Sequence, residues 1–420
     1  MMEELVSFIS IILIFLHASF LYILLFVKDK RIKNKFSPKI SVLIPAHNEE
    51  KIIGKTIQAL LGDNYSNEKE IIILNDGSTD NTARVVSEFS KKYKMVKLIS
   101  LKHKGKSGAI NFGIKKSKND VLVILDADSI VEKNSLKEIV EPLKNKKIGG
   151  VAGSIRAIRN KNPLTWFQDF EYVVSSGWRY LCTKINGNSI LPGFSAFRKD
   201  ALLKVNGFSS DTMTEDFDIV FNMKKAGYET MTSHAAVMFT DVPQNIRSFI
   251  KQRLRWGRGT IQVLKKHIKF LFSGKAEMLA VYSIPTQFYW YVHGLIFVPL
   301  TFYQILYYFQ TSILINNPFS LPTLFYLFKW FSLYGMIDLI KNVIIGVYPF
   351  NLRLFLVIFS FLLSMVYTIL LFLKFKKPDL KDFFVYFFFF PFSLLNLSIM
   401  GLSLIYEIFN KKSYNIWTKN

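Results

Sequence analysis

The sequence predicts an α/β domain on a mostly parallel sheet, carried between membrane helices. Two observations lead there. From Lys39 to about Asp241, short β-rich apolar runs alternate with helical stretches, and long apolar segments lie on either side. Strand–helix–strand alternation implies parallel strands with helices on both faces. The 420 residues suffice for two or three units. The expected division is 1–27 for an N-terminal transmembrane helix, 28–242 for the α/β domain, 243–275 for an amphipathic interfacial region and 276–420 for C-terminal transmembrane helices.

Leu5 to Val27 is an apolar stretch broken only by Ser and His. At about 1.5 Å per residue it crosses a hydrocarbon core of roughly 30 Å. A cleaved signal peptide fits poorly, because Glu3 and Glu4 precede the apolar run and no small-residue cleavage site follows. Lys28, Lys30, Arg31, Lys33 and Lys35 come next. Positive charge at that flank places the following domain in the cytoplasm, in a multi-pass protein of the plasma membrane.

Ile40–Pro45, Ile71–Leu74 and Val121–Leu125 read as strands buried on both faces, since each is a continuous apolar run. Helical patterns lie near Ile52–Leu61, Ala83–Tyr93 and Ser107–Lys116. Ligands of such sheets bind beyond the carboxyl ends of the strands. There the chain places His47-Asn48-Glu49, Asn75-Asp76-Gly77-Ser78-Thr79-Asp80 and Asp126-Ala127-Asp128. Asp80, just before a helix, reads as a cap. Three acidic groups at one rim point instead to a ligand. Hard carboxylate oxygens after a buried strand suit Mg²⁺ or Mn²⁺ shared with substrate phosphates.

Pro243 to Phe272 alternates apolar and basic residues at helical spacing, which predicts a basic amphipathic helix at the headgroup level. Phe288–Phe309, Leu354–Leu373 and Phe383–Phe409 are each long enough to span. Leu324–Val347 is interrupted by Lys329, Asp338 and Lys341, so crossing and re-entry both stay open. If it crosses, Lys374, Lys376 and Lys377 land outside; if it does not, the tail with Lys411 and Lys412 does. Either conflicts with the positive-inside tendency.

The net charge of +23 favours anionic lipid headgroups or phosphorylated ligands. Nucleic acid is the weaker choice, because the basic residues flank apolar runs rather than forming an aromatic-studded module. The single cysteine, Cys182, excludes a disulfide framework and a Cys-rich zinc site, and reads as a buried core residue. No partner subunit is named by the residues.

Five stretches in order, IPAHNEE (44–50), NDGSTD (75–80), DAD (126–128), TED (214–216) and QRLRW (252–256), resemble the family 2 glycosyltransferases. The likeness is to the membrane-integrated branch with cellulose, hyaluronan and poly-N-acetylglucosamine synthases, and it covers Lys39 to about Leu264. It implies a GT-A fold and a metal-dependent inverting transfer from a UDP-sugar. It further implies that Glu49 and Asp76 line the nucleoside pocket, that Lys106 and Asp126 contact the nucleotide and that Asp128 binds Mg²⁺ or Mn²⁺. Asp216 is the implied general base, and Gln252 and Arg255 the implied diphosphate contacts. Trp256, Glu215 and Gly193, the last in PGFSAFR (192–198), fall where the acceptor sits. Two positions depart from the pattern. His47 stands where Tyr or Phe is commoner, leaving base stacking and a structural role both open, and Asn75 replaces the first Asp of a frequent pair. The implied activity is processive synthesis of a β-linked polysaccharide, with UDP-N-acetylglucosamine or UDP-glucose as donor. A glycolipid-forming enzyme acting on a membrane lipid is the alternative. A non-catalytic assembly subunit would have broken acidic motifs, and here they are intact.

Overall fold

A 25-residue apolar helix, α1 (Met2–Phe26), leads into the α/β domain of the computed structural model. Residues 2–29, 36–315, 317 and 319–409 are described. Lys30, Arg31, Lys33 and Lys35 of the basic flank, and Lys411 and Lys412 of the tail, lie outside them. The domain runs β1 (Ile40–Ala46), α2 (Ile53–Leu61), β2 (Lys69–Asp76), α3 (Thr82–Lys92), β3 (Val96–Leu101), α4 (Gly105–Lys116), β4 (Val121–Leu125), β5 (Ser129–Val131) and α5 (Ser135–Val140). It continues with β6 (Ile148–Ala157), α6 (Pro163–Lys184), β7 (Phe194–Arg198), α7 (Lys199–Lys204), α8 (Glu215–Lys225) and β8 (Glu229–Thr240). Then come α9 (Ile246–Leu271), α10 (Ile284–Ile315), α11 (Leu321–Phe331), α12 (Tyr334–Ile344), α13 (Leu352–Phe375), α14 (Leu380–Phe387) and α15 (Phe389–Phe409).

The strands form one sheet in the order β3-β2-β1-β4-β7-β6-β8-β5. Pairs β1–β2, β1–β4, β2–β3 and β6–β8 are parallel, while β4–β7, β6–β7 and β5–β8 are antiparallel. The expected mostly parallel sheet is therefore present, with a reversed strand, β7, let into its middle. β1 and β4 are buried along their whole length, as their unbroken apolar runs require. Ile40, Val42 and Ile44 pack with α2 on one face, and Leu43, Ile72 and Leu74 pack with α4 on the other. All the carboxyl ends of β1, β2 and β4 thus open on one rim. The N-cap of α3 is Asn81 rather than Asp80, whose Oδ1 nonetheless accepts the Thr82 N–H of the first turn at 3.0 Å. Cys182 is buried, as expected.

Among the described residues three helices are long and apolar enough to cross a membrane, Glu4–Phe26, Leu352–Phe375 and Phe389–Phe409. The chain is a membrane protein by this measure. Phe288–Phe309 lies within α10, a helix long enough to span, though it is not among these three. One expected span is corrected. Phe383–Phe409 is broken between α14 and α15. Pro391 lacks the N–H that would bond the Phe387 carbonyl one turn back, and that carbonyl accepts the Leu333 N–H instead, at 2.8 Å. Leu324–Val347 is a pair of helices, α11 and α12, bent by 100°. Two of its interrupting charges pair with each other, Lys329 Nζ lying 2.6 Å from Asp338 Oδ2.

The apolar side of α9 does not lie free for a headgroup layer. Phe249 packs on Phe392 and Ile399, Ile261 on Tyr291 and Leu404, and Val263 on Phe217 and Phe221. Helices α8, α10 and α15 cover it, so α9 is a bridge between the α/β domain and the membrane helices. A second bridge is ionic. Asp169 on α6, with no exposed surface, accepts two bonds from Arg156 at 2.7 and 2.8 Å and one from Lys376 at 3.0 Å. Lys376 also reaches Asp382 at 2.5 Å, and Arg159 reaches Asp379 at 2.7 Å. This ties the α13–α14 linker to the α/β domain.

Candidate active site

The site is assembled where β4 ends against the starts of α4, α8 and β7. The Asp126 N–H donates to the Gly193 carbonyl at 3.0 Å. Gly193 has φ +34°, and a Cβ there would stand 3.0 Å from Asp126 Oδ2, so only glycine lets the loop lie this close. Lys106, in the first turn of α4, reaches Asp126 Oδ1 at 2.8 Å and Glu215 Oε1 at 3.0 Å. Glu215 and Asp216 open α8, where the helix N-terminus favours negative charge. The Asp216 carbonyl accepts the Leu191 N–H at 3.0 Å, which anchors α8 to the β7 loop. A narrow cleft is lined by Lys106, Gly193, Ser195, Phe208, Glu215 and Asp216.

One lysine shared among three carboxyls sets the electrostatics. Burial pushes the Asp216 carboxyl up to about 6, and the Glu215 charge adds to the rise. Burial also raises Asp126, with Asp128 adding to it against the pull of Lys106. For Glu215 burial acts upward, but Lys106 outweighs it and holds the carboxyl below its ordinary range. Lys106 is buried too, yet Asp126 and Glu215 keep its ammonium well above the usual lysine range. The cluster therefore holds Glu215 ionised and leaves Asp216 poised to exchange a proton near neutral pH. Arg255 acts on both Glu215 and Asp216 through its charge, and its Nη1 lies 3.4 Å from the Met213 carbonyl.

The neighbouring strand ends form a second group. Asp76 is buried at the end of β2, its Oδ1 accepting the Lys104 N–H at 2.7 Å and its Oδ2 lying 3.0 Å from His103 Nδ1. His47 Nδ1 is 2.8 Å from the Asp76 carbonyl, and the His47 and His103 rings are 4.8 Å apart. His47 is thus locked to the β2 end through its backbone contact. Glu49 turns the chain into α2: its N–H donates to Thr82 Oγ1 at 2.8 Å and its carbonyl accepts the Ile53 N–H at 3.0 Å.

The QRLRW segment meets α6. Arg253 Nη2 pairs with Glu171 at 2.6 Å, its Nη1 donates to Gln252 Oε1 at 2.5 Å, and its guanidinium lies 4.3 Å from the Trp256 ring centre. Trp256 stands 6.3 Å from the Tyr172 ring. So Lys106, Asp126, Glu215, Asp216, Gly193 and Arg255 gather at one centre. Glu49 and Asp76 flank it, and Gln252 and Trp256 face α6. Sequence reasoning missed His103, Tyr172 and Arg253, whose contacts join elements distant in the chain.

Asp128 Oδ1 accepts from Thr240 Oγ1 at 3.3 Å. Among the described residues no group of three or more His, Cys, Asp and Glu could hold a metal unaided. Asp126 and Asp128 stand two residues apart just beyond β4, and the charge of Asp128 helps to raise Asp126. That donor set fits Mg²⁺ or Mn²⁺, which complete their shells with water and phosphate.

Residues 41–205 match the family described as Glycosyl transferase family 2. A probable glycosyltransferase, YdaM, of Bacillus subtilis is 35% identical over 254 residues, 58% of this chain and 60% of its own length. Poly-beta-1,6-N-acetyl-D-glucosamine synthases of Staphylococcus epidermidis and Staphylococcus aureus are 34% and 31% identical over the same shares of both chains. The match thus spans less than two thirds of those relatives. A mannosyltransferase, PcManGT from Pyrobaculum calidifontis, solved with GDP-Man and Mn²⁺, superposes with a TM-score of 0.59 at 16% identity, covering 97% of this chain and 100% of that one. Together with the acidic strand ends, these likenesses make residues 41–205 a glycosyl transferase family 2 domain of GT-A fold.

Proposed function

We propose that the protein is a metal-dependent, inverting glycosyltransferase that extends a β-linked polysaccharide from a UDP-sugar at the plasma membrane, with its catalytic domain in the cytoplasm. The observation that carries this reading is Asp216, a carboxyl raised to about 6 on the wall of a cleft it shares with Lys106, Glu215 and Gly193. A group with that pKa is ionised at neutral pH and basic enough to take a proton from a sugar hydroxyl. The hydroxyl oxygen attacks the anomeric carbon as its proton passes to Asp216, and the bond to the diphosphate oxygen breaks. One base opposite one leaving group gives inversion. Arg255 and Gln252 receive the diphosphate, the arginine through its forked donors. Glu49, Asp76 and the His47–His103 pair hold the nucleoside end.

Asp128, with Asp126 beside it, would hold Mg²⁺ or Mn²⁺, and the PcManGT structure carries Mn²⁺ on the same fold. When bound, such an ion offsets the charge that builds on the leaving diphosphate. The named polysaccharide synthases among the relatives support a polymer product and UDP-N-acetylglucosamine as the first donor to try. Membrane lipids surround α1 and the C-terminal helices, and accessory subunits are outside this reading.

A donor screen on purified protein in lipid nanodiscs tests it. Labelled UDP-glucose and UDP-N-acetylglucosamine are supplied with Mg²⁺ or Mn²⁺, and products are sized by gel and by lipid extraction. A high-molecular-weight ladder from one donor is expected. A short, lipid-extractable product would transfer the protein to the glycolipid-forming class, and no turnover of any donor would sink the enzymatic reading.

A further inference from the structure

Helix α9 meets the segment that carries Asp216 along one stripe. Arg255, Gly259, Gln262 and Lys266 follow one another at steps of four, three and four residues, so they share a face of the helix. That face touches the chain between Asp211 and Asp218. It takes both polar groups of the Met213 backbone: Gln262 Oε1 accepts the N–H at 3.1 Å, and Arg255 Nη1 lies 3.4 Å from the carbonyl. Thr214 presses on Gly259, where an added Cβ would stand 2.5 Å from Thr214 Cγ2. Lys266 Nζ reaches Asp211 Oδ1 at 2.8 Å and Asp218 Oδ1 at 2.9 Å.

His267, the next residue, closes the contact. His267 and Asp218 are both buried, and His267 Nε2 lies 2.7 Å from Asp218 Oδ1. The Lys225 ammonium can only donate, so at 2.6 Å it bonds the lone pair of His267 Nδ1 and leaves the Nε2–H for Asp218. Asn222 Nδ2 donates to the other Asp218 oxygen at 3.0 Å, and the His267 ring stacks on Phe221 with 4.8 Å between centres. A buried carboxylate satisfied from three side chains is held rigidly. Asp218 lies in the first turn of α8, its N–H bonding the Thr214 carbonyl at 3.1 Å. The chain is thus gripped by α9 on both sides of Asp216, while Glu215 and Asp216 themselves line the cleft with Lys106.

We infer that Gln262 and His267 are positioning residues of the transfer reaction: acting through Met213 and Asp218, they fix the place of Asp216 in the cleft. A general base works only within hydrogen-bond reach of the proton it takes. A misplacement of about 1 Å can cost about a hundredfold in rate. The inference rests on the reading of Asp216 as the base and adds to it the contacts that aim it.

The test uses the full chain in nanodiscs with Mn²⁺ and the labelled UDP-sugars of the donor screen. Gln262→Leu, His267→Phe and His267→Gln are compared with wild type, and the first two are repeated in an Asp216→Asn background. UDP affinity on the same samples checks folding. Gln262→Leu and His267→Phe should each lower kcat by about ten- to a hundredfold, with donor KM and UDP affinity within about twofold of wild type. His267→Gln, whose amide can donate to Asp218, should recover part of the loss. In the Asp216→Asn background the same changes should cost less than about threefold more, because residues that act through one group do not add. A loss that multiplies in full with Asp216→Asn, or a parallel loss of kcat and UDP affinity, makes the two residues structural and overturns the inference. Wild-type turnover separates the two readings: its absence with every donor sinks the glycosyltransferase assignment and the inference with it, whereas turnover with unaltered kcat in the variants sinks only the inference.

Discussion

The acidic limb of the pH–rate profile is the sharpest readout of the Asp216–Lys106 cluster. Asp216 must be ionised to accept a proton, and its carboxyl is raised to about 6 by burial and by Glu215. Turnover should therefore be full above that pH and fall as pH drops through it, reaching about a tenth of the plateau one unit lower. Lys106 pulls Asp216 downward and neutralises Asp126 and Glu215. Lys106→Met removes that cation and leaves its carboxylate partners facing Asp216. The limb should then move to higher pH by about one to three units. Asp216→Asn should lower the plateau by about 10²–10⁴ and abolish the limb. Initial rates at saturating donor isolate kcat from the weaker nucleotide binding that Lys106→Met also brings. A limb that persists unshifted in Asp216→Asn, or one that moves to lower pH in Lys106→Met, would refute the reasoning.

Three further outcomes follow from the same geometry. Because the Asp216 pKa is raised on folding, its ionisation costs stability as pH rises from its unfolded value through about 6; Asp216→Asn should gain about 1–3 kcal/mol at neutral pH, read as a higher melting temperature in detergent. Gly193→Ala forces a Cβ to 3.0 Å from Asp126 Oδ2 at a positive φ, and should cut donor affinity in a UDP titration while leaving the fold intact by circular dichroism. Asp169→Leu strands Arg156 and Lys376 without their shared carboxylate and should cost about 3–5 kcal/mol, seen as early loss of the monodisperse peak on heating before chromatography.

Much of the domain could be read from the chain because its strands are buried on both faces. Ile40–Ala46 and Val121–Leu125 have no alternation, which is what a sheet with helices on both sides imposes. The acidic rim was equally legible, since strand ends in such a sheet must converge. The direction of β7 was not: nothing in Phe194–Arg198 distinguishes a strand that runs against β4 from one that runs with it. Nor was the pairing of Lys106 with Glu215, because an ion pair across the fold leaves no mark at either position. The basic periodicity of α9 suggested a headgroup helix, and only the distant α8, α10 and α15 reveal that its apolar side is covered by protein.

The contacts also bear on membrane sidedness, where apolarity alone gives a conflict. By length and composition α15 is long and apolar enough to cross the membrane. Its two ends, however, both meet the catalytic side. Phe389 lies 4.7 Å from the Phe170 ring of α6, and Glu407 pairs with Arg258 of α9 at 3.1 Å. Between them Phe392 packs on Phe249. Helix α15 therefore runs along α9, and α9 carries Arg247, Lys251, Arg255, Arg258, Lys265, Lys266 and Lys269, too many charges for a hydrocarbon core. The linker at Lys376 is held to Asp169 on that same side. If α10 crosses outward and α13 returns, while the bent α11–α12 pair stays within the far half, both conflicts with the positive-inside tendency disappear. Single cysteines on a Cys182→Ser background test this with a membrane-impermeant maleimide on intact cells. Pro349→Cys, between α12 and α13, should label directly, while Lys377→Cys and Ile408→Cys should label only after permeabilisation. Direct labelling of Ile408→Cys would mean that α15 crosses after all, and direct labelling of Lys377→Cys would mean that the ionic bridge to Asp169 does not form in the membrane.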